Sequence, residues 1–233
     1  KVRELIRADA DVIKVATTGG VMSSRSRPSQ AQFSSGELDV LVAEASAAER
    51  FVMAHAQGTQ GIRNAITAGI RSIEHGIYLD DETIEMMLDA GTWLVPTLIA
   101  PMGVLEAVER GVEIAPQVVA KANEVIEIHR DAVARAMAAG VKIAMGTDSG
   151  VTPHGGNLRE LAEMSKLGMS DAQVLRSSTS VAADLLGVDE DLGTIQPGML
   201  ADLVIWDGSD LDVSDMRSRL SRVIQDGTVV ACH

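Results

Sequence analysis

Short apolar runs alternate with amphipathic stretches along the first part of the chain. Each run stops near a glycine or a polar cluster, and apolar residues at helical spacing follow it. The pattern predicts five strands, over 11–17, 51–56, 70–75, 92–98 and 141–147. It predicts helices over 1–9, 36 onward, 59–68, 80 onward, 117–139, 157–167 and 171–186. This alternation is typical of parallel β/α units, in which helices cover a sheet.

The pattern changes near residue 190. From Gly193 onward, two β-type segments, GTIQPGMLADLVIWD and SRVIQDGTVV, follow each other without a helix of comparable length. We therefore divide the chain into an α/β unit over 1–190 and a C-terminal β segment over 191–233. Five strands alone are too few to close an eight-stranded barrel.

Composition restricts the class of protein. The chain has 233 residues, 46% hydrophobic but only 2% aromatic, so aliphatic side chains must form the core. A formal net charge of -13 argues against nucleic-acid and membrane partners, since both favour basic patches. No apolar segment approaches the roughly 20 residues of a membrane-spanning helix. The single cysteine, Cys232, leaves the compartment open. A cytoplasmic location is favoured, and a homo-oligomer is compatible with these features.

Four potential metal ligands end apolar runs, and glycine follows each of them within a few residues. They are Lys14, His55, His75 and Asp148. Side chains at the carboxyl ends of strands build the active site of a (β/α) barrel. His55 and His75 end consecutive strands, and neighbouring strands lie about 4.8 Å apart, so both imidazoles can share one metal ion. The alternative is two unrelated buried histidines.

Lys14 and Asp148 extend this potential site. Lys14 lies in an apolar run that we expect to be buried on both faces, and burial lowers the pKa of a lysine. A neutral amine can react with carbon dioxide to give a carbamate, whose two oxygens can bridge two metal ions. Asp148 can bind a metal and accept a proton from metal-bound water. The alternatives are a solvated lysine and an aspartate that stabilises a turn.

The combination resembles the amidohydrolase superfamily, and within it the imidazolonepropionase-like and Xaa-Pro dipeptidase branch. The similar stretches cover most of the chain: VIKVATTGGVMS, AHAQGTQGIRNAITAGIRSIEHG, LDDETIEMMLDAGTWLVPTL, GTDSGVTPHGGNLREL and LGTIQPGMLADLVIWDG. The resemblance implies a partial (β/α)8 TIM-type barrel, strands 4–8, followed by part of a small β-sandwich. It implies that carboxylated Lys14 bridges two divalent metals. It also implies that His55 and His75 bind one metal, and that Asp148 binds the other and acts as the base.

One feature of the family is missing from the sequence. In the family, the first strand of the barrel carries a His-x-His pair, and this sequence contains no such pair. The first predicted strand matches strand 4. We therefore expect the chain to be an N-terminally truncated form of a longer hydrolase, and the activity of the chain alone stays open.

Other polar residues are weaker candidates. Three of them lie in loops after strand ends and can contact a substrate: Arg25, Tyr78 and His154. A solvated arginine, a packing tyrosine and a mobile-loop histidine are the respective alternatives. His129 falls in a helix rich in Glu, Arg and Lys, so we expect it to be exposed.

The favoured function is hydrolysis of the C–N bond of a small-molecule amide or dipeptide, by a dipeptidase or an N-acyl amino acid hydrolase. We hypothesise that a metal-bridging hydroxide attacks the carbonyl and that Asp148 passes the proton to the leaving amine. The expected cofactors are two divalent ions, with zinc first, and carbon dioxide for carboxylation of Lys14. One alternative is a mononuclear cyclic-amide hydrolase or deaminase of the same superfamily. The other is a non-catalytic fragment or scaffold that associates through open sheet edges.

Overall fold

The computed structural model describes residues 1–232; His233, for which the sequence indicates no role, lies outside them. The first elements are α1 (Val2–Arg7), β1 (Val12–Ala16), α2 (Ser35–Ser46), β2 (Phe51–Ala56), α3 (Thr59–Thr67), β3 (Ser72–His75), α4 (Asp81–Ala90) and β4 (Trp93–Val95). They are followed by α5 (Ile99–Glu109), α6 (Pro116–Ala139), α7 (Leu158–Lys166), α8 (Asp171–Ser177), α9 (Ser180–Leu186), β5 (Leu203–Trp206), β6 (Leu220–Gln225) and β7 (Thr228–Cys232).

Strands β1 to β4 form one parallel sheet in sequence order. Their register places Ala16 beside His55, and Ala56 beside His75. Because the strands are parallel and their ends are nearly level, the predicted ligands of β2 and β3 reach the same edge of the sheet. The predicted parallel α/β unit is therefore confirmed.

One face of this sheet forms the core of the molecule. Its side chains alternate along β1 and β2 and pack against buried residues of the helices, as Ile13, Val52 and Ala54 do with Leu38 and Ile62. Burial of each large aliphatic side chain contributes roughly 1.5–3 kcal/mol. Helices α2, α3, α4 and α6 all contribute to this core. The edge with the predicted ligands is thus supported by a packed layer of helices.

The opposite face of the sheet is open at β1. Val12 is half-buried, and Lys14 and Ala16 are exposed. The expectation that the run around Lys14 is buried on both faces is therefore wrong. Successive side chains of a strand point to opposite faces of the sheet, so only alternate positions of β1 face the helices. The positions between them, including Lys14, point to the other face, which residues 1–232 leave uncovered at β1.

The predicted fifth strand, 141–147, is reduced to a single bridge. Leu94 donates to Lys142 O and accepts from Ala144 N, so this segment runs parallel to β4 at Ile143 only. Met145 N then donates to Ser177 O instead of to β4. The ladder therefore stops after one residue. The helix predicted over 171–186 is likewise divided, because Thr179 leaves helical geometry with φ -129 and ψ -97.

The C-terminal part forms a separate antiparallel sheet in the order β5–β6–β7. Several of its apolar side chains are exposed, among them Val204, Ile205, Val229 and Val230. Within residues 1–232, no helix combines the length and the apolar character that a membrane span requires.

The helical cover of the sheet can be tested on α2. Leu38 is 0% exposed in the core, whereas Val40, two residues further along the same helix, is 64% exposed. Leu38→Ala should lower the free energy of unfolding by about 2–5 kcal/mol, since it leaves a cavity. Val40→Ala should change it by less than about 0.5 kcal/mol. Urea denaturation measures both, and equal effects would contradict the described packing of α2.

Candidate metal centre

Two imidazole rings lie side by side at the carboxyl ends of β2 and β3. The ring centroids of His55 and His75 are 4.6 Å apart, and the ring planes make an angle of 71°. Strand pairing alone does not explain this proximity, because His55 pairs with Glu74 and His75 is one residue further along. His75 ends β3 with φ 77, in the left-handed region, and this turn directs its ring toward His55.

The hydrogen bonds of the two rings determine which nitrogens are available. His55 Nε2 lies 3.2 Å from the carbonyl oxygen of Gly19, which can only accept, so Nε2 carries the hydrogen and Nδ1 the lone pair. His75 Nδ1 lies 2.7 Å from Thr97 Oγ1. The hydroxyl can accept from this nitrogen or donate to it, and the tautomer with the hydrogen on Nδ1 leaves the lone pair of Nε2 for a ligand. His55 Nδ1 and His75 Nε2 form no hydrogen bond within residues 1–232, so both are available to a ligand.

Both rings are held neutral. Burial lowers the pKa of His55, against the opposing effect of the Gly19 carbonyl. Burial also lowers the pKa of His75 well below its usual range, and neighbouring His55 and His129 lower it further. Neutral imidazole is the form that binds a metal ion. The pair is thus prepared for a divalent cation at neutral pH.

Lys14 and Asp148 lie near the histidine pair. Both side chains are exposed, and both charges act on His55: Lys14 lowers its pKa and Asp148 raises it. Asp148 has φ 51, so its backbone turns sharply after the bridge to β4. In the part of the chain that the structure describes, no group of three or more His, Cys, Asp or Glu side chains is arranged to hold a metal ion. Two neutral imidazoles, each with one ring nitrogen that bonds to nothing else in residues 1–232, and a nearby carboxylate nevertheless fit the donors that a divalent ion uses.

Glu74 is a buried acid that the sequence interpretation missed. It pairs with His55 across the sheet, is 7% exposed and accepts a hydrogen bond of 2.7 Å from Ser72 Oγ. Burial raises its pKa to about 7, against the opposing effects of Ser72 and Lys14. The sequence carried a signal for this residue. Burial of a carboxyl group is unfavourable, so an acid within a short apolar strand indicates a specific role.

His129 is buried, so the expectation that it is exposed is wrong. Its side chain is 1% exposed, and its Nε2 lies 2.9 Å from the carbonyl oxygen of His75. Burial lowers its pKa to about 4, so the ring is neutral. The buried stripe of α6 includes Val118, Ala122, Val125, His129, Ala132 and Ala136. Steps of three and four residues place His129 on that stripe, although charged residues surround it in sequence.

The loop between β1 and α2 is fastened to α6 by one lysine. Lys121 Nζ donates to the carbonyl groups of Gly20 and Ser26, both at 3.2 Å, and to that of Ser23. Burial lowers the pKa of Lys121. Gly20 packs so closely on the ring of His55 that an added Cβ would lie 3.3 Å from it. The lysine thereby fixes the loop that covers His55, and nothing in the sequence indicated this role.

The weaker candidates are distributed around this loop. Tyr78 is half-buried, and its hydroxyl lies 3.5 Å from Glu124 Oε1. It lines a cavity of about 400 Å³ together with Arg27, Lys121 and Glu124. Arg25 and His154 are exposed, and their side chains form no hydrogen bond with residues 1–232. The structure therefore brings Tyr78 to a cavity but gives Arg25 and His154 no fixed partner.

Comparisons with known proteins place the chain in one family. Residues 1–231 match the model of the Amidohydrolase family. Ochratoxinase of Aspergillus niger is 36% identical over 215 residues, which are 91% of this chain and 44% of that protein. The structure of a Xaa-Pro dipeptidase with methionine bound in the active site has a TM-score of 0.90 at 36% identity, covering 97% of this chain and 56% of that chain.

A prolidase complexed with N-methylphosphonate-L-proline has a TM-score of 0.92 at 33% identity, covering 100% of this chain and 57% of that chain. The chain thus spans about half the length of the relatives it matches. The predicted resemblance is confirmed by these matches. The chain belongs to the amidohydrolase family, whose members here are hydrolases that act on carbon–nitrogen bonds.

Proposed function

We propose that this chain supplies the metal-binding and proton-transfer side of an amide hydrolase that acts on dipeptides or N-acyl amino acids. The observation that carries the proposal is the pair of neutral imidazoles at neighbouring strand ends, with ring centroids 4.6 Å apart and one free nitrogen on each ring. His75 is buried and His55 is half-buried, and neither of the two free nitrogens is enclosed, so both can reach a ligand that enters this edge of the sheet.

The sheet is proposed to be part of a (β/α)8 barrel. Strands β1–β4 are parallel and in sequence order, and the bridge at Ile143 continues the sheet beyond β4. In such a barrel the carboxyl ends of the strands carry the active site. The exposed face that bears Lys14 would then point into the barrel.

His55 Nδ1 and His75 Nε2 would hold one divalent ion, with zinc the first candidate because imidazole suits it. Lys14 would supply the third ligand of this ion, and the same group would also bind a second ion. For this, its deprotonated Nζ forms a bond to the carbon of carbon dioxide and releases a proton to solvent, which leaves a carbamate anion. When bound, the metal polarises the substrate carbonyl and lowers the pKa of water.

Asp148 is proposed as the base. Its carboxylate is exposed, and its charge acts on both His55 and Glu74, so it lies near both of these groups. From there it would accept a proton from the attacking water and deliver it to the nitrogen of the leaving amine. The C–N bond then breaks, giving a carboxylate and a free amine.

The substrate class is proposed from the relatives and from the cavity near the loop. The relatives are an ochratoxinase, a Xaa-Pro dipeptidase and a prolidase. Tyr78 and Arg27 line the cavity of about 400 Å³ and can donate hydrogen bonds to a carboxylate. Arg25 and His154 are secondary candidates for substrate contact, because both are exposed.

A second candidate function is a mononuclear deaminase. A 5-methylthioadenosine/S-adenosylhomocysteine deaminase of Thermodesulfovibrio yellowstonii is 28% identical over 141 residues. Such an enzyme would not use a lysine carbamate, so the lysine at position 14 favours the binuclear hydrolase. Metal stoichiometry separates the two functions: two ions per active site support the hydrolase and one supports the deaminase.

Removal of either imidazole should abolish tight metal binding. We expect the 233-residue chain to bind Zn²⁺ and both His55→Ala and His75→Ala to weaken binding by more than about 100-fold, since each removes a direct ligand. Isothermal titration calorimetry measures the affinity. His154→Ala is the matched control, because this histidine is exposed and should not affect the affinity. If all three variants bind alike, the proposed centre is wrong.

Lys14 should be required for activity. In a form of the protein that hydrolyses dipeptides or N-acyl amino acids, Lys14→Ala should lower kcat/KM by more than about 100-fold, beyond the range of residues that only support a ligand. It should also remove the carbamate signal in ¹³C NMR after addition of labelled bicarbonate. Lys142→Ala, at another exposed lysine, serves as the control. Unchanged turnover of the Lys14 variant would refute the bridging role.

A further inference from the structure

The backbone at His75 is held in an unfavourable conformation. Its φ of 77 lies in the left-handed region, which is unfavourable for a residue with a side chain. Thr97, whose Oγ1 contacts His75 Nδ1 at 2.7 Å, also lies in that region with φ 56. Such conformations persist only where the surrounding structure fixes them. Two buried side chains, one from α6 and one from α7, contact the backbone at His75 and directly after Thr97.

One of these groups comes from α6. The ring of His129 is 1% exposed, and its Nε2 lies 2.9 Å from the carbonyl oxygen of His75. Because a carbonyl only accepts, Nε2 carries the hydrogen and donates it. This bond fixes the peptide group that follows His75. It therefore restrains the turn that directs the ring of His75 toward His55.

The other group comes from α7. Glu160 is 0% exposed, and its carboxylate oxygens accept from the N–H groups of Leu98 and Ile99 at 2.7 and 3.0 Å. These residues follow Thr97 directly and start α5. Glu160 therefore fixes the turn that presents Thr97 Oγ1 to His75 Nδ1. A fully buried carboxylate is costly, and two N–H donors from the backbone offset only part of this cost.

We propose that His129 and Glu160 are positioning residues that fix His75 for metal binding, His129 through the His75 carbonyl and Glu160 through Thr97. The proposal rests on the proposed function, because it requires His75 to bind the metal. Neither residue touches the substrate or the metal. Their action would reach the metal through the orientation of one ring, and it should appear in the metal affinity and the ligand geometry.

The test on α6 uses two variants and one control in the 233-residue chain. His129→Leu removes the donor and should weaken Zn²⁺ binding about 10–100-fold, as loss of a group that orients a ligand does. His129→Gln keeps an N–H donor and should recover part of the affinity. Val133→Ala removes buried volume four residues further along α6, where Val133 is 0% exposed. It should lower the thermal stability and leave the affinity unchanged.

The test on α7 is independent of α6. Glu160→Gln replaces one acceptor oxygen by an amide NH₂ that faces a backbone N–H, so Zn²⁺ affinity should fall by about 10-fold or more. Glu163→Gln, on the same helix, removes ion pairs with Arg130 and Lys166 and should leave the affinity unchanged. The absorption spectrum of bound Co²⁺ should change in His129→Leu and Glu160→Gln and not in Val133→Ala or Glu163→Gln.

The outcomes separate the two proposals. If His75→Ala loses metal binding while His129→Leu and Glu160→Gln bind Zn²⁺ and Co²⁺ like the unmodified chain, the positioning roles are refuted and the metal centre stands. If the unmodified chain binds no Zn²⁺, both proposals are refuted. Should His129→Leu not fold, His129→Gln and Glu160→Gln still decide the result, because a weaker affinity in a folded variant supports the proposal.

Discussion

The register between β2 and β3 is the constraint on which the site depends. It pairs His55 with Glu74 and leaves His75 one residue beyond, on the opposite side of a regular pleat. Only the left-handed turn at His75 brings the two rings within 4.6 Å. Three polar side chains surround this turn: Thr97 contacts the ring, His129 contacts the backbone, and Glu160 accepts from the two backbone N–H groups that follow Thr97. These contacts hold the strained conformation of His75, and the two rings therefore keep a defined position relative to each other.

The two faces of the sheet have different tasks. The face that packs against α2, α3, α4 and α6 is aliphatic and supplies the rigidity that a preorganised site requires. The other face carries Lys14, His55 and Glu74, and the charges of Lys14 and Asp148 act on the groups buried there. Burial raises the pKa of Glu74 and lowers those of His55 and His75. It therefore favours the uncharged form of all three side chains.

Much of the fold was predictable because periodicity and glycine positions are local signals. Strand β2 was predicted with the observed bounds, and the position of His55 and His75 at neighbouring strand ends followed from consecutive parallel strands. The close approach of the two rings requires the left-handed turn at His75, which the sequence did not indicate. Two of the errors arose where long-range contacts decide, whereas the buried stripe of α6 that includes His129 is a local signal. The exposure of Lys14 depends on which elements cover that face of the sheet. The fifth strand is lost because Met145 N donates to Ser177 O instead of to β4. The domain boundary near residue 190 stays a prediction, as do the roles of the site residues.

The position of the hydrogen on each imidazole determines whether the pair can bind a metal, and long-range ¹H–¹⁵N NMR of the histidine side chains measures it. In the metal-free chain at neutral pH, we expect His55 to carry its hydrogen on Nε2 and His75 to carry its hydrogen on Nδ1. Addition of Zn²⁺ should then shift His55 Nδ1 and His75 Nε2 and leave the exposed His154 unchanged. Two imidazolium rings at neutral pH, or histidine resonances that do not respond to zinc, would contradict the proposed metal centre.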